Sequence, residues 1–324
     1  MVYLNRYLMK PLLHPVLVAV FAAASLASVS AVLAAGPIAG VSHDPSKLRL
    51  QSANVLIIGA DESLIYSKNA ETVTPIASIT KLMTAMVVLD AKQSGDELLT
   101  IDINDLDMLK GSHSRLRLGV ELPRIEMLRL ALMASENRAA SALCRYYPGG
   151  ADACIKAMNT KAVHLGMRST RFADATGLNS ENQSTAKDLA KMVIAASKYP
   201  LIREFSTTVS ASVEAQPTGR HVAFNNTNSL VRGGNWDIQL QKTGFIREAG
   251  RCVVMLANVA SKPVVIVLLD SIGKLTRVGD ANRIRHWLET GEAMAEVRAP
   301  IKKKSLLKHR FSGLKHRFSG RARA

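Results

Sequence analysis

Cysteine is scarce in this 324-residue chain, which contains only Cys144, Cys154 and Cys252. An odd number cannot make a complete disulfide framework, and their spacing fits no zinc signature. Cys144 and Cys154 lie ten residues apart and would pair in an oxidising compartment. Three separate thiols are the alternative that we favour from the spacing. The eight histidines follow no metal-binding pattern either, so we expect no metal and no other cofactor.

Acidic residues are absent from the last 27 positions, Arg298 to Ala324, where ten residues are Lys or Arg. The whole chain has a formal net charge of +16, so the part before this segment carries only +6. Basic charge therefore belongs to the tail and not to the body of the protein. We expect no nucleic-acid partner.

A repeat lies within this basic tail, which we assign to residues 294–324. The six residues Lys308–Gly313 recur seven positions later as Lys315–Gly320. The segment is too short for another folded domain and is typical of a disordered extension. Leu and Phe side chains among the cations favour a second interpretation, a segment that binds an anionic membrane or wall polymer.

The first 34 residues have the form of a secretory signal peptide. Arg6 and Lys10 precede a short apolar run, Val16–Ala24, and small-residue sites end at Ala31 and Ala34. An uncleaved membrane anchor is the alternative, but the many Ala and Ser residues make the run less apolar than a typical spanning helix. In both cases the rest of the chain is exported. We expect it in the periplasm, free or peripheral to the inner membrane.

Hydrophobic periodicity predicts strands at both ends of the body and helices between them. After a polar leader (35–48), we predict a hairpin of strands 54–58 and 64–66. Helices are predicted over 79–87, 125–142 and from Ser184 to before Pro200, with Thr185 and Asp188 as a capping box. Late strands are predicted over 239–243, 252–259 and 264–270, and a closing helix over 280–288. The expected fold class is α+β, an antiparallel sheet flanked by helices plus a mainly helical lobe.

Three short motifs follow one another along this pattern. They are Ser78-x-x-Lys81, then Ser135-x-Asn137, then Lys242-Thr243-Gly244. Each is weak alone, since Ser-x-x-Lys occurs at four other places, but Lys-Thr-Gly occurs once and only the first Ser-x-x-Lys precedes the other two in order. Together they predict a serine acyl-transfer site that uses lysine as its base.

Ser78 is the expected nucleophile and Lys81 its base. Serine is a poor nucleophile without an adjacent base, and residues three apart on a helix share a face. Lysine is a base only when it is neutral, and apolar neighbours and a second cation would lower its pKa. The backbone N–H groups of Ser78 and Phe245 are candidates for an oxyanion hole.

The other two motifs supply polar groups from facing elements. The Ser135 hydroxyl would relay a proton between two lysines, and the Asn137 amide would orient the base and bind substrate. Lys242 and Thr243 would bind a terminal carboxylate from an edge strand, where a lysine contributes little to the core. Gly244 would allow a close approach of the backbone.

The sequence also resembles a known family well beyond these motifs. It is similar, from about Ser52 to Gly291, to the low-molecular-mass penicillin-binding proteins, the D-alanyl-D-alanine carboxypeptidases and endopeptidases. The similarity is strongest at Pro75–Thr84, Leu132–Ala140, Ala175–Leu178, Ser184–Ala186 and Ile238–Phe245. With Glu136 in the second motif, the sequence most resembles the periplasmic DD-endopeptidase branch of this family. The repeated basic tail has no counterpart in the family pattern.

This resemblance implies a catalytic domain over residues 49–293 with a β-lactamase/transpeptidase-like fold. It implies an enzyme that cuts D-alanyl–meso-diaminopimelate cross-links in peptidoglycan and is acylated by β-lactam antibiotics. A D-alanyl-D-alanine carboxypeptidase that trims pentapeptides is the alternative within the family.

Three other functions can be weighed against the motifs. A class A β-lactamase requires a Glu about 35 residues after Ser-x-Asn, where this chain has Arg171 and Asp174 but no Glu. A Ser-His-Asp hydrolase is disfavoured because no Gly-x-Ser-x-Gly motif is present. A catalytically idle wall-binding protein is disfavoured by the intact Ser78 and Lys81 pair.

Overall fold

The computed structural model describes residues 43–295. The predicted signal peptide, most of the leader and nearly all of the basic tail lie outside the described residues. Residues 43–295 fall within one compact unit of the chain.

The described residues form eleven strands and eight α-helices. The strands are β1 (Asn54–Gly59), β2 (Leu64–Lys68), β3 (Thr74–Pro75), β4 (Leu98–Thr100), β5 (Glu121–Pro123), β6 (Gln183–Ser184), β7 (Ser210–Ala215), β8 (Arg220–Asn225), β9 (Asp237–Ile246), β10 (Gly250–Val259) and β11 (Lys262–Ser271). The helices are α1 (Lys81–Asp90), α2 (Arg124–Met133), α3 (Asn137–Arg145), α4 (Gly150–His164), α5 (Ala186–Ala196), α6 (Pro200–Thr207), α7 (Ser229–Arg232) and α8 (Thr276–Thr290). Short 3-10 turns cover Pro45–Lys47, Ala77–Thr80 and Ile103–Asp105.

Five strands form the main sheet in the order β2-β1-β11-β10-β9, and every neighbouring pair is antiparallel. The hairpin β1–β2 and the late strands are the ones that the sequence predicted, so the antiparallel sheet of the α+β fold is confirmed. Strand β9 lies at the edge of this sheet. It therefore keeps one side free of strand partners among the described residues.

Helices cover both faces of the sheet, so its central strands are buried on both sides. Val55 and Ile57 of β1 join a smaller core with α8, whereas Leu56 and Ile58 join the larger core. That larger core continues without a break into helices α1 to α4, which form the predicted helical lobe. Burial of each such side chain contributes roughly 1.5–3 kcal/mol.

The helix predicted over 125–142 is wrong in one respect, because the structure breaks it into α2 and α3. Ser135 between them has a backbone φ of 59°, which is left-handed and ends a helix. The N–H groups of Ala134 and Glu136 both bond to the Leu130 carbonyl at this turn. Glu136 then starts α3, since its carboxylate accepts the Arg138 N–H at 3.4 Å.

The N-cap predicted at Thr185 is present, as its hydroxyl accepts the Asp188 N–H at 3.1 Å. The Asp188 carboxylate does not return the bond. It accepts the Ser169 N–H at 2.8 Å and the Thr170 hydroxyl at 2.9 Å instead. Only half of the predicted capping box forms, because a tertiary contact takes up the carboxylate.

Cys144 and Cys154 form a disulfide, and the preference for three separate thiols is therefore wrong. Their Cα atoms lie 5.4 Å apart, because α3 and α4 pack side by side. Cys252 is the free thiol among the described residues and is buried, and burial raises its pKa to about 11. A ten-residue spacing carries no information on how two helices pack, so the sequence left this question open.

Residues 43–48, at the end of the predicted leader, pack against α8. The Trp287 indole donates to the Asp44 carbonyl at 3.1 Å. The buried carboxylate of Asp280 accepts the Ser52 N–H at 2.7 Å. These contacts tie the start of the described chain to its last helix.

Candidate active site

Ser78 lies in the 3-10 turn that runs directly into α1 at Lys81. The preceding residue, Ala77, has a φ of 47°, a left-handed conformation that costs a non-glycine residue about 1–3 kcal/mol. Lys81 Nζ lies 3.0 Å from Ser78 Oγ. The i, i+3 spacing thus brings the predicted nucleophile and the predicted base into hydrogen-bond contact.

The Lys81 side chain is buried, with 1% of the residue exposed. It donates to Ser78 Oγ, to Asn137 Oδ1 at 2.7 Å and to the Thr176 carbonyl at 2.6 Å, which occupies all three N–H groups of the ammonium. Burial lowers the pKa of Lys81 to about 8, although nearby carboxylates, Asp174 first among them, act to raise it. About one molecule in ten then carries a neutral Lys81 at pH 7.

Ser135 and Asn137 enter the site from the break between α2 and α3. Residues two apart on a continuous helix do not face the same way, and the left-handed Ser135 removes that restriction. Asn137 is held from both ends, since its oxygen accepts from Lys81 and its Nδ2 donates to Ser112 Oγ at 2.8 Å. Ser135 Oγ makes no hydrogen bond to another described residue, so the structure contains no direct relay contact to a lysine.

Strand β9 passes close to Ser78 because Gly244 has no side chain. A Cβ at Gly244 would lie 2.9 Å from the Ile76 carbonyl oxygen and 3.1 Å from Ser78 N. Gly177 approaches the same turn, and a Cβ there would lie 2.0 Å from the Ala77 carbonyl oxygen. Two glycines therefore allow two separate segments to pack against the turn that carries Ser78.

Lys242 is fully buried, although its strand lies at the edge of the sheet. Its Nζ donates to the Thr243 carbonyl at 3.1 Å. Burial, and then the positive charges of Lys81 and Arg277, hold the pKa of Lys242 well below the ordinary lysine value. The repulsion between the two lysines lowers the pKa of Lys242, whereas burial is what lowers that of Lys81. The expectation that Lys242 contributes little to the core is wrong.

A groove of about 790 Å³ runs past Ser78. Of the eight residues that the sequence singled out, six line it: Ser78, Ser135, Asn137, Thr243, Gly244 and Phe245. The remaining two, Lys81 and Lys242, lie buried behind its surface. The fold thus places hydroxyl, amide and backbone groups along the groove and two pKa-lowered lysines beneath it.

Arg277 and Thr227 also line the groove, and sequence reasoning missed both. Arg277, in the first turn of α8, donates to the Gly244 carbonyl at 3.0 Å. Thr227 Oγ1 lies 2.6 Å from Thr243 Oγ1. Neither residue belongs to a short motif, so no local signal marks them. The packing of distant segments against β9 brings them to the site.

Asp174 shapes the loop that presents the Thr176 carbonyl to Lys81. Its carboxylate accepts the N–H groups of Thr176 at 2.8 Å, Gly177 at 2.6 Å and Asn179 at 2.8 Å. A carboxylate that accepts several backbone N–H groups is committed to holding its loop. Asp174 is therefore not free to act as a base toward the groove.

Two kinds of feature are absent from residues 43–295. No group of three or more His, Cys, Asp or Glu side chains is arranged to hold a metal ion. No helix in this part of the chain is long and apolar enough to cross a membrane.

Comparison with known families identifies the chain. Residues 41–273 match the D-alanyl-D-alanine carboxypeptidase family, and the match covers most of the chain. The chain belongs to this family. The resemblance drawn from the three motifs is thereby confirmed.

Two relatives extend the comparison along the chain. A D-alanyl-D-alanine endopeptidase of Pseudomonas aeruginosa is 46% identical over 271 residues, which are 83% of this chain and 87% of the relative. A D-alanyl-D-alanine endopeptidase of Escherichia coli is 48% identical over 260 residues, which are 80% and 84% of the two chains. Both relatives are matched over most of their own length.

Solved structures confirm the β-lactamase/transpeptidase-like fold. The Streptomyces K15 DD-transpeptidase matches with a TM-score of 0.69 and 28% identity, over 74% of this chain and 97% of that one. Penicillin-binding protein D2 of Listeria monocytogenes, solved in an ampicillin-bound form, matches with a TM-score of 0.64 and 28% identity. The match covers 74% of this chain and 98% of that one.

Proposed function

We propose that this protein hydrolyses D-alanyl–meso-diaminopimelate cross-links of peptidoglycan through an acyl-enzyme on Ser78. The observation that most supports this proposal is the buried Lys81, whose pKa is lowered to about 8 and whose Nζ lies 3.0 Å from Ser78 Oγ beside the groove. Two relatives that are named endopeptidases and are 46% and 48% identical favour cross-links over pentapeptides as substrate. Peptidoglycan stem peptides and β-lactam antibiotics are the ligands.

Acylation begins when neutral Lys81 accepts the proton of Ser78 Oγ as this oxygen attacks the D-alanine carbonyl carbon. The oxyanion that forms is stabilised by the N–H groups of Ser78 and Phe245. The C–N bond then breaks, and Lys81 gives the proton to the leaving amine; the Ser135 hydroxyl, which lines the groove without a hydrogen-bond partner among the described residues, is free to relay it. Water hydrolyses the resulting ester, which releases the carboxylic acid and restores Ser78.

The carboxylate of the leaving group is bound in the groove beside β9. The Thr243 hydroxyl and the Arg277 guanidinium line the groove and offer donors to it. Lys242 is buried next to Thr243 and does not line the groove, so it supports this wall without contacting the carboxylate.

Other functions fit the site less well. The committed hydrogen bonds of Asp174 and the exposed, Glu181-paired side chain of Arg171 leave no base for rapid deacylation, which disfavours a β-lactamase. A wall-binding protein without activity has no need for a lysine buried against Ser78. Carboxypeptidase activity on pentapeptides remains the alternative, because the same acyl-enzyme forms from both substrates.

Cross-linked muropeptide dimers provide the direct test. We expect the purified protein to convert them into monomers, read by mass spectrometry, faster than it releases D-alanine from pentapeptide monomers. A Ser78→Ala protein run in parallel shows that the activity belongs to this site. D-alanine release without any loss of dimers would contradict the endopeptidase proposal and support the carboxypeptidase.

We also propose that the exported protein works in the periplasm and that its basic tail binds anionic membrane or wall polymer. The composition of residues 298–324 supports this, since each cation near an anionic surface contributes about 1 kcal/mol. Deleting these residues should leave penicillin acylation unchanged and remove salt-sensitive co-sedimentation with vesicles of anionic lipid. If the truncated protein still sediments with the vesicles, the tail does not bind them. Loss of acylation would instead make the tail part of the fold.

A further inference from the structure

The groove follows the free edge of β9 from Thr243 to Ile246 and continues past Arg247 and Glu248 in the turn after this strand. An extended peptide can add to such an edge as an antiparallel strand. In an antiparallel pair, two opposite residues exchange both of their backbone hydrogen bonds. If the scissile carbonyl of the D-alanine accepts a hydrogen bond from the Phe245 N–H, the N–H of the same D-alanine therefore donates to the Phe245 carbonyl.

The leaving-group carboxylate sets the direction of this added strand. It lies at Thr243 and Arg277, so the residues that precede the D-alanine extend the other way, past Ile246 toward Arg247 and Glu248. The two stems of a cross-link share one sequence, so the residue before the D-alanine is also meso-diaminopimelate. Its side chain ends in an ammonium and a carboxylate on the same carbon.

Charges of both signs line this end of the groove. Lys110 Nζ and Glu248 Oε1 form an ion pair at 2.5 Å that joins the loop before β5 to the turn after β9. Arg247 also lines the groove and is exposed. The pKa of the Glu248 carboxyl is lowered, first by the hydrogen bond from Lys110 and also by the charge of Arg247. The ion pair is partly open to solvent, with 32% and 42% of the two side chains exposed.

The loop that carries Lys110 is anchored. Asp107 accepts the Lys110 N–H at 2.8 Å and the Ser112 N–H at 2.8 Å. Ser112 in turn accepts from the Asn137 amide. Lys110 thus reaches the groove from a loop that is hydrogen-bonded to the catalytic centre, and β9 brings Glu248 from the facing wall.

We propose that Lys110, Arg247 and Glu248 bind the zwitterionic end of the diaminopimelate side chain on the acyl-donor stem. Arg247 and Lys110 take its carboxylate, and Glu248 takes its ammonium. A partly exposed ion pair rearranges around an incoming zwitterion at little cost, because such pairs are weak. The proposal rests on the proposed function and makes this end of the groove selective for diaminopimelate over lysine.

Three matched substrates separate the two charges. They are cross-linked dimers whose donor stem carries meso-diaminopimelate, lysine or alanine before the D-alanine, with one common acceptor stem. We expect kcat/KM of the wild type to be about tenfold higher for the diaminopimelate donor than for the alanine donor, given a few-fold gain for each partly exposed charge contact. The lysine donor should fall between them.

Two variants then assign each charge to its partner. Arg247→Gln should lower the ratio of kcat/KM for the diaminopimelate donor to that for the lysine donor by about threefold, since only the diaminopimelate side chain has a carboxylate. Glu248→Gln should lower the ratio of kcat/KM for the lysine donor to that for the alanine donor by a similar factor. Arg203→Gln and Glu204→Gln, an exposed pair on α6, are the matched controls and should change neither ratio.

Equal rates for the three donors in the wild type would overturn the proposal. It would also be overturned if Arg247→Gln or Glu248→Gln slowed the cleavage of all three donors by the same factor. Failure to cleave any dimer, with penicillin labelling intact, would count against the endopeptidase function instead. The same three donors are then measured as pentapeptides by D-alanine release, and the same ratios decide the proposal.

Discussion

Ser78→Ala should abolish covalent labelling by penicillin and all cross-link cleavage. Among the described residues, Ser78 carries the one hydroxyl that contacts Lys81, so no other group can take over the attack. Labelling is measured with a fluorescent penicillin on a denaturing gel and checked by the mass of the intact adduct. Thermal unfolding of the variant confirms that it is folded.

Ser184→Ala is the matched control, because Ser184 opens another Ser-x-x-Lys in the same chain. Its hydroxyl contacts Thr170 at 2.7 Å, away from the groove. This protein should label like the wild type. Normal labelling of the Ser78→Ala protein would end the assignment of the nucleophile.

Lys81→Ala should slow acylation by about two to four orders of magnitude, the range typical of lost general-base catalysis. The protein still binds penicillin in the groove, so the loss falls on the chemical step. The second-order rate constant for acylation by the fluorescent penicillin measures it. Lys187→Ala is the control, since Lys187 belongs to the Ser-x-x-Lys that begins at Ser184 and pairs with exposed Glu71. Acylation within tenfold of wild type would show that Lys81 is not the base.

The pKa of Lys81 also predicts how wild-type acylation depends on pH. Burial lowers this pKa to about 8, and only the neutral amine accepts the serine proton. The rate constant should therefore rise about tenfold per pH unit below 8 and level off above it. A rate that does not change between pH 6 and 9 would contradict a lysine base.

Patterns of neighbouring residues in the sequence predicted the helices and strands whose stability depends on those same residues. Sequence patterns identified the five strands of the main sheet but none of the short strands β3 to β8, the helical spacing of apolar residues identified α1, and capping residues identified α5. Ser78 and Lys81 could be paired from sequence because three residues on a helical turn leave little freedom. The same argument failed at Ser135, where the pattern runs on smoothly from α2 to α3 although the backbone turns left-handed between them.

Several residues of the site carry no local signal at all. Arg277 and Thr227 reach the groove because α8 and the segment before α7 pack beside β9. The disulfide between Cys144 and Cys154 depends on how α3 meets α4. Long-range packing decides such contacts, and the spacing of residues along the chain does not predict them.

By itself, the sequence determined the order of the three motifs, the family and the antiparallel sheet, and it was enough to propose Ser78 as nucleophile and Lys81 as base. These follow from residue types and short spacings. Only the tertiary structure decided that Lys81 and Lys242 are both buried and that their pKa values are lowered. A pKa depends on how much water and which charges surround a group, and segments as far apart as Asp174 and Arg277 supply that environment.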